Sequence, residues 1–404
     1  MDGFVYLAMK VKKLKTSLLN FNEKLISKNA LKVIKTLKKN GFQAFLVGGC
    51  VRDLLISTTP KDFDVATNAT PKHIKRIFKN CKLIGRRFRL AHIRYGREII
   101  EVSTFRSASL PSNRNVMMDH TGRIIRDNEF GSVEDDAIRR DFRCNALYYD
   151  PAKKKIWDFM GGLDDIQQKK LVVIGEPDNR IQEDPVRMIR ALRFSAKLNF
   201  SIDKNLKKSI KKNSDLLCNI PSARIFEEFK KLFLYGNAEK VFLIMQEYNI
   251  FNKIFFDTHE EIKQDKLFNN FIIYALQDSD RRVLLGQPVS PMFLLGIFFW
   301  ASIKKESLRI KKRKKCSDAR SIIIAAINVI EAHKRRIAIP KRFSSLMIDM
   351  LSMQPKLEVT TKKNAKYLIS QRAFRAAYDF MLIRTKVNEF DEKTASFWIS
   401  TQSE

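Results

Sequence analysis

Apolar residues recur every three or four positions between Asn29 and Lys39, where Leu31, Ile34 and Leu37 share one face and Gly41 follows. That spacing predicts a helix. The period then changes. Ala44–Val47 is a short continuous apolar run that predicts a buried strand, and Gly48-Gly49 let the backbone turn into a helix beginning at Val51–Leu55. Pro71–Phe78 predicts a second helix, with Thr70 as N-cap and Pro71 in the first helical position. Leu83–Ile93 and Glu98–Phe105 predict strands. The polar stretch Leu110–Asn128 predicts a mobile loop, and Glu134–Tyr149 is helix-like. Beyond about residue 165 the helical period dominates, with Leu232–Phe256 and Asn269–Trp300 as packed helices.

These elements predict an α+β fold: a small head, with helices on a mixed or antiparallel sheet, followed by an all-helical neck and body. The expected divisions are a basic extension or frayed helix over residues 1–28, a head over 29–160, a helical neck over 161–235 and a helical body over 236–404. Trp157–Gly162 (W-D-F-M-G-G) is expected to be the hinge out of the head. The chain contains no internal repeat.

Charge narrows the partners. Among 404 residues, 76 Lys and Arg stand against 44 Asp and Glu, a formal net charge of +32. This points to a polyanion, nucleic acid first and an anionic membrane surface second. The five cysteines are scattered, without a C-x-x-C pair, so the expected compartment is a reducing cytoplasm. The longest apolar run, Met292–Ile303, is about a dozen residues, too short to span a bilayer. A monomer is expected.

The candidate chemistry centres on Phe45–Asp64. A strand that ends in two glycines and runs into a helix start directs backbone N–H groups at one point, which is a phosphate seat. Arg52 adds a cation. Asp62-Phe63-Asp64 follows. If the three lie in a strand, both carboxylates share one face. Two adjacent carboxylates resist joint ionisation unless a cation lies between them, and Mg²⁺ fits a pair of carboxylates plus substrate phosphates. The plainer alternative is a glycine turn followed by a surface D-x-D.

Asp141 could complete a carboxylate trio and Arg140 could meet a phosphate; the alternative is a salt-bridged surface helix. In Glu183–Arg193, Asp184 is the expected N-cap and Pro185 the first helical residue. Glu183, Arg187 and Arg190 share a face, with Asp184 and Arg193 beside it and Ile189, Leu192 and Ala196 opposite. Asp184 and Arg187 together present an acceptor and donors suited to a base edge, while Arg190 and Arg193 reach phosphates. The alternative is a set of helix-surface ion pairs. Lys304–Arg342 holds fourteen Lys and Arg and three acids. It reads as an RNA backbone track or a solvated face. Phe374, Tyr378 and Phe380, interleaved with arginines, either stack on bases or sit in the core.

Five stretches in order (L-V-G-G-C-V-R-D-L-L, K-D-F-D-V-A-T-N-A-T-P, R-R-D-F-x-x-N-A-L-Y-Y, the G-G hinge and E-D-P-V-R-M-I-R-A-L-R-F) resemble the class II nucleotidyltransferases, which comprise bacterial poly(A) polymerases and CCA-adding tRNA nucleotidyltransferases. L-I-G-R-R-F-R-L-A-H-I and R-F-R-A-A-Y-D-F resemble the poly(A) polymerase branch. The resemblance implies that Asp62 and Asp64 hold catalytic metals, Mg²⁺ or alternatively Mn²⁺, with Asp141 as third carboxylate. It implies Gly48, Gly49 and Arg52 on the triphosphate of ATP and Arg140 on the nucleotide. Asp184 and Arg187 would recognise the base, supported by Arg190 and Arg193.

The implied activity is template-independent addition of AMP from ATP to single-stranded RNA 3′ ends, in polyadenylation and RNA turnover. A CCA-adding enzyme, a non-catalytic RNA-binding relative and a membrane-surface protein are the alternatives. Arg143, Cys50 and Ile56-Ser57 depart from the family pattern. The sequence stops at Glu404, without the long basic tail of some poly(A) polymerases, so RNA affinity is expected to come from the body, with Lys304–Arg342 as the candidate segment.

Overall fold

The computed structural model describes residues 11–85, 89–107, 117–118, 124–126 and 130–403. It divides into two compact units. The first comprises residues 1–180 with 200–206; the second comprises 181–199 with 207–404.

The first unit is built on an eight-stranded sheet. In chain order its early elements are β1 (Lys12–Lys15), α1 (Lys28–Lys39), β2 (Ala44–Val47), α2 (Gly49–Leu55), β3 (Asp64–Thr67), α3 (Pro71–Ile77), β4 (Cys81–Ile84), β5 (Leu90–Tyr95) and β6 (Glu98–Thr104). A short ladder of β7 (Met117–Met118) and β8 (Ile124–Arg126) follows, then α4 (Val133–Arg139), β9 (Leu147–Asp150) and β10 (Lys155–Asp158). The strand order is β1-β10-β9-β2-β3-β6-β5-β4. Only the β3–β6 pairing is parallel among the described strands of this sheet.

Alternation along the strands sorts side chains between two cores. Leu46, Val65, Ala91, Ile93, Ile100 and Val102 join Val33, Ile34, Leu37, Val51, Leu54 and Ile74 from the first three helices. Phe45, Val47, Ala66, Phe105 and Tyr148 join Val133 and Ala137 of α4 on the opposite face. Since Val65 belongs to the first core, its neighbour Asp64 falls on the second face.

Several expectations change. Residues 12–15 are an edge strand paired with β10, not a frayed helix. Lys13 Nζ lies 3.9 Å over the Trp157 ring, and Tyr149 donates to Glu23 at 2.9 Å. Leu83–Ile93 is not one strand but the two arms of the β4–β5 hairpin, with residues 86–88 outside those described. The expected loop at 110–128 also lies outside the described residues, apart from the β7–β8 ladder. The helix-like reading of Glu134–Tyr149 fails after Arg139: a Ser132/Asp135 capping box starts α4, and Tyr148-Tyr149 are strand.

In Trp157–Gly162, the end of β10 is fastened through a short turn to the next helix. The buried Asp158 carboxylate accepts backbone N–H bonds from Met160, Gly161, Gly162 and Leu163 at 2.8–3.1 Å. A Cβ on Gly162 would lie 2.2 Å from the Arg143 carbonyl oxygen. α5 (Gly162–Gln167) and β11 (Lys170–Leu171) follow, then α6 (Pro177–Glu183), α7 (Val186–Leu198) and β12 (Ser201–Ile202).

The second unit is helical, as the periodicity predicts. Phe298 lies at the centre of an aromatic core, with the rings of Phe229, Phe233, Phe242, Phe251 and Phe255 centred 5.0–6.3 Å away. Phe374, Tyr378 and Phe380 are buried, so the base-stacking alternative gives way to core packing.

Candidate active site

β2 delivers the chain to Gly48, whose φ of +78° and ψ of −131° suit glycine and strain any other residue. Its N–H donates to the Leu147 carbonyl at 3.2 Å, which ties the turn to β9. Gly49 opens α2. Two guanidinium groups close around this pair. A Cβ on Gly48 would be 3.1 Å from Arg140 Nη1, and one on Gly49 would be 3.6 Å from Arg52 Nη2.

Both arginines are held. Arg52 is 2% exposed. Its Nε donates to Asp53 Oδ1 at 2.9 Å and its Nη1 to Asn145 Oδ1. Asn145 in turn donates to Asp141 Oδ1 at 3.2 Å, and that oxygen also receives the Phe142 N–H at 2.8 Å. Arg140 donates through Nε to Tyr148 Oη at 3.0 Å and through Nη2 to Asp136 Oδ2 at 3.0 Å. Tyr148 closes the triangle by donating to Asp136 at 2.6 Å. Burial alone would lower the Arg140 pKa, but Tyr148 and Asp136 more than offset it. The result is a fixed cation beside the glycine turn.

The D-x-D is placed differently from the strand expectation. β3 begins at Asp64, so Asp62 belongs to the preceding turn and is exposed. Phe63 is buried in the helix-covered core. The Asp64 carboxyl is pushed up to about 6, first by burial, then by the charge of Glu101; Asp62 adds to the rise and Arg140 opposes it. The Cys50 thiol, pushed up to about 12 mainly by burial, also feels Asp64. Asp64 therefore feels the charges of Arg140 and of two further acids, Glu101 and Asp62.

One of those acids is not foreseen from the sequence. Glu101 of β6 is the Cα partner of Asp64 in the parallel register, and its effect on the Asp64 carboxyl places it on the same face. The one available signal is alternation within E-I-I-E-V-S-T, where Ile100 and Val102 are core residues and Glu101 is not. The hydrogen bonds of Asp141 instead bind the Arg140–Asn145 loop together. No three His, Cys, Asp or Glu side chains among the described residues converge closely enough to hold an ion by themselves. Arg143, a departure from the family pattern, counters the burial that pushes Asp165 up to about 6.

In the second unit, α7 begins at Val186 with Pro185 as its cap residue, one position later than expected. Asp184 still accepts the Val186 N–H through Oδ1 at 3.3 Å. Its Oδ2 meets Arg224 Nη2 at 2.8 Å, a partner that the sequence does not reveal. Arg187 pairs with Glu183 at 3.1 Å. Arg190 and Arg193 lie 5.5 and 4.2 Å over the Phe194 ring. Ile189, Leu192 and Ala196 are buried, as the helical spacing predicts. Farther along, Lys311–Lys315, Arg320, Lys334–Arg336, Lys341 and Arg342 are all exposed. No helix is long and apolar enough to cross a membrane among the described residues.

Three family models match the chain. Residues 44–172 match the Poly A polymerase head domain and residues 314–404 the Polymerase A arginine-rich C-terminus. Residues 199–262 match the "Probable RNA and SrmB-binding site of polymerase A". Poly(A) polymerase I of Salmonella typhimurium is 39% identical over 385 residues, covering 94% of this chain and 83% of that protein. That of Haemophilus influenzae is 38% identical, covering 89% and 81%. The CCA-adding enzyme of Bacillus subtilis is 27% identical, covering 92% and 91%. The solved CCA-adding enzyme of Bacillus stearothermophilus, in complex with CTP, shares the fold with a TM-score of 0.60 at 21% identity, over 93% of this chain and 80% of that one.

Fold and matches together define a class II nucleotidyltransferase. Within that class, the chain belongs to the bacterial poly(A) polymerase family.

Proposed function

We propose that this chain is a template-independent polynucleotide adenylyltransferase that adds AMP from ATP to RNA 3′ ends and releases pyrophosphate. The observation that carries this reading is the Asp64 carboxyl, packed between further acids and a fixed arginine beside the Gly48–Gly49 turn.

Asp62 and Asp64, with Glu101 beside them, would hold Mg²⁺ or Mn²⁺. A carboxyl held up to about 6 by burial and neighbouring acids suits a divalent cation that relieves that repulsion. When bound, such ions lower the charge barrier to attack of the RNA 3′-hydroxyl on the α-phosphate and to departure of pyrophosphate. Gly48 and Gly49 admit the triphosphate to the first turn of α2. Arg52 lines the seat, and Arg140, locked by Tyr148 and Asp136, supplies a preorganised positive charge to the nucleotide. Asp141 serves as a further active-site carboxylate, orienting the loop that carries Arg140. Asp184 and Arg187 read the base edge, each steadied by its own partner, and Arg190 and Arg193 support the nucleotide. Functionally we divide the chain into a head over 29–160, a neck over 161–235 and an RNA-binding body over 236–404, acting as a cytoplasmic monomer.

A CCA-adding enzyme is the second reading, favoured by the fold shared with solved enzymes of that name. Supplying one nucleotide at a time to an unstructured RNA primer separates the two. The expected result is a long ladder with ATP alone and little extension with CTP. Addition limited to a tRNA-like acceptor, or dependent on CTP, would overturn the adenylyltransferase reading.

A further inference from the structure

We infer that His92 is a positioning residue for the Glu101 carboxylate and, through it, for the divalent-ion site at Asp64; the inference rests on the ion-site reading above. Three strands place one polar row across the sheet. His92 of β5 is the antiparallel partner of Glu101, and Glu101 is the parallel partner of Asp64. The neighbours Ala91, Ile93, Ile100, Val102 and Val65 all lie in the helix-covered core. Alternation therefore turns His92, Glu101 and Asp64 to the other face together.

His92 Nε2 lies 3.3 Å from Glu101 Oε2, the one polar partner that Glu101 has among the described residues. Glutamate has three side-chain torsions to fix, and repulsion from Asp64 pushes its carboxylate away when no cation is bound. An imidazole nitrogen this close to Oε2 restrains that oxygen and leaves Oε1 for a ligand. Partners of this kind orient metal-binding carboxylates, and their loss typically weakens metal affinity by about 10–100-fold. The pair is part-exposed, so its contribution to stability is small. Removing the imidazole should weaken ion binding far more than folding.

The test is Mn²⁺ binding to the full chain, followed by electron paramagnetic resonance at fixed pH, beside thermal melting. His92→Ala is expected to weaken Mn²⁺ binding about tenfold and to leave the melting temperature nearly unchanged. His92→Gln, which keeps an N–H donor, is expected to restore most of the affinity, and Glu101→Gln to weaken binding at least as much as His92→Ala. Wild-type Mn²⁺ affinity in His92→Ala beside a weakened Glu101→Gln would overturn the role of His92 alone. Wild-type affinity in both Glu101→Gln and Asp64→Asn would overturn the ion-site reading on which it rests.

Discussion

Asp64→Asn will stop nucleotide transfer and will also raise the melting temperature of the metal-free protein near neutral pH. Both effects follow from one environment. Burial, Glu101 and Asp62 push the Asp64 carboxyl from 3.8 to about 6. A group that holds its proton more tightly when folded contributes stability while protonated. That stability is fully present below about pH 4 and is lost as pH rises through about 6. At pH 7.5 the wild-type protein therefore carries a carboxylate that its surroundings disfavour. Removing the charge should recover about 1–2 kcal/mol, allowing for part-exposure of the site.

The same substitution removes an ion ligand, and the lost charge stabilisation of several kcal/mol corresponds to a rate decrease on the order of a thousandfold. Differential scanning fluorimetry in EDTA at pH 7.5 and at pH 4.5, beside primer extension, checks both halves. The melting gain should be present at the higher pH and small at the lower. Full activity in the variant, or an equal gain at both pH values, would contradict the assignment.

Gly48→Ala should be the most damaging change in the turn. The backbone at φ +78°, ψ −131° is open to glycine and strained for alanine, at a cost of about 1–3 kcal/mol. The added methyl would also lie 3.1 Å from Arg140 Nη1. Arg140 has little room to yield, because Tyr148 and Asp136 hold its other nitrogens. Displacement of the seat or of Arg140 by a fraction of an ångström to one ångström is expected to reduce kcat/KM by about 10²-fold. Gly41→Ala is the control. Gly41 has φ +83°, and a methyl there would meet nothing within 4 Å, so the variant should lose stability and keep activity. Equal activity losses in the two variants would show that backbone strain, not the approach of Arg140, governs Gly48.

Local signals in the sequence are enough to locate much of this site. The glycine turn from β2 into α2, Phe63 in the core and the buried stripe Ile189, Leu192 and Ala196 all depend on neighbours a few residues away. Glu101 escapes such signals because its relation to Asp64 depends on a parallel pairing between strands distant in sequence. The period of β6 says which face Glu101 takes, but not which strand lies beside it. The partner of Asp184 is hidden for the same reason, since Arg224 comes from another helix; Tyr148, only eight residues from Arg140, is hidden because its strand reads as helix. The edge strand Lys12–Lys15 has no alternation of its own and is fastened by β10. Phe374, Tyr378 and Phe380 lie on a helix whose arginines suggest nucleic acid, yet helix packing buries all three rings.

The most direct measurement is anomalous scattering from crystals of the protein grown with Mn²⁺ and a non-hydrolysable ATP analogue. The expected map has a manganese peak bridging the carboxylates of Asp62 and Asp64, with the triphosphate against Gly48 and Gly49. A triphosphate bound elsewhere, or manganese without either aspartate among its ligands, would contradict the account.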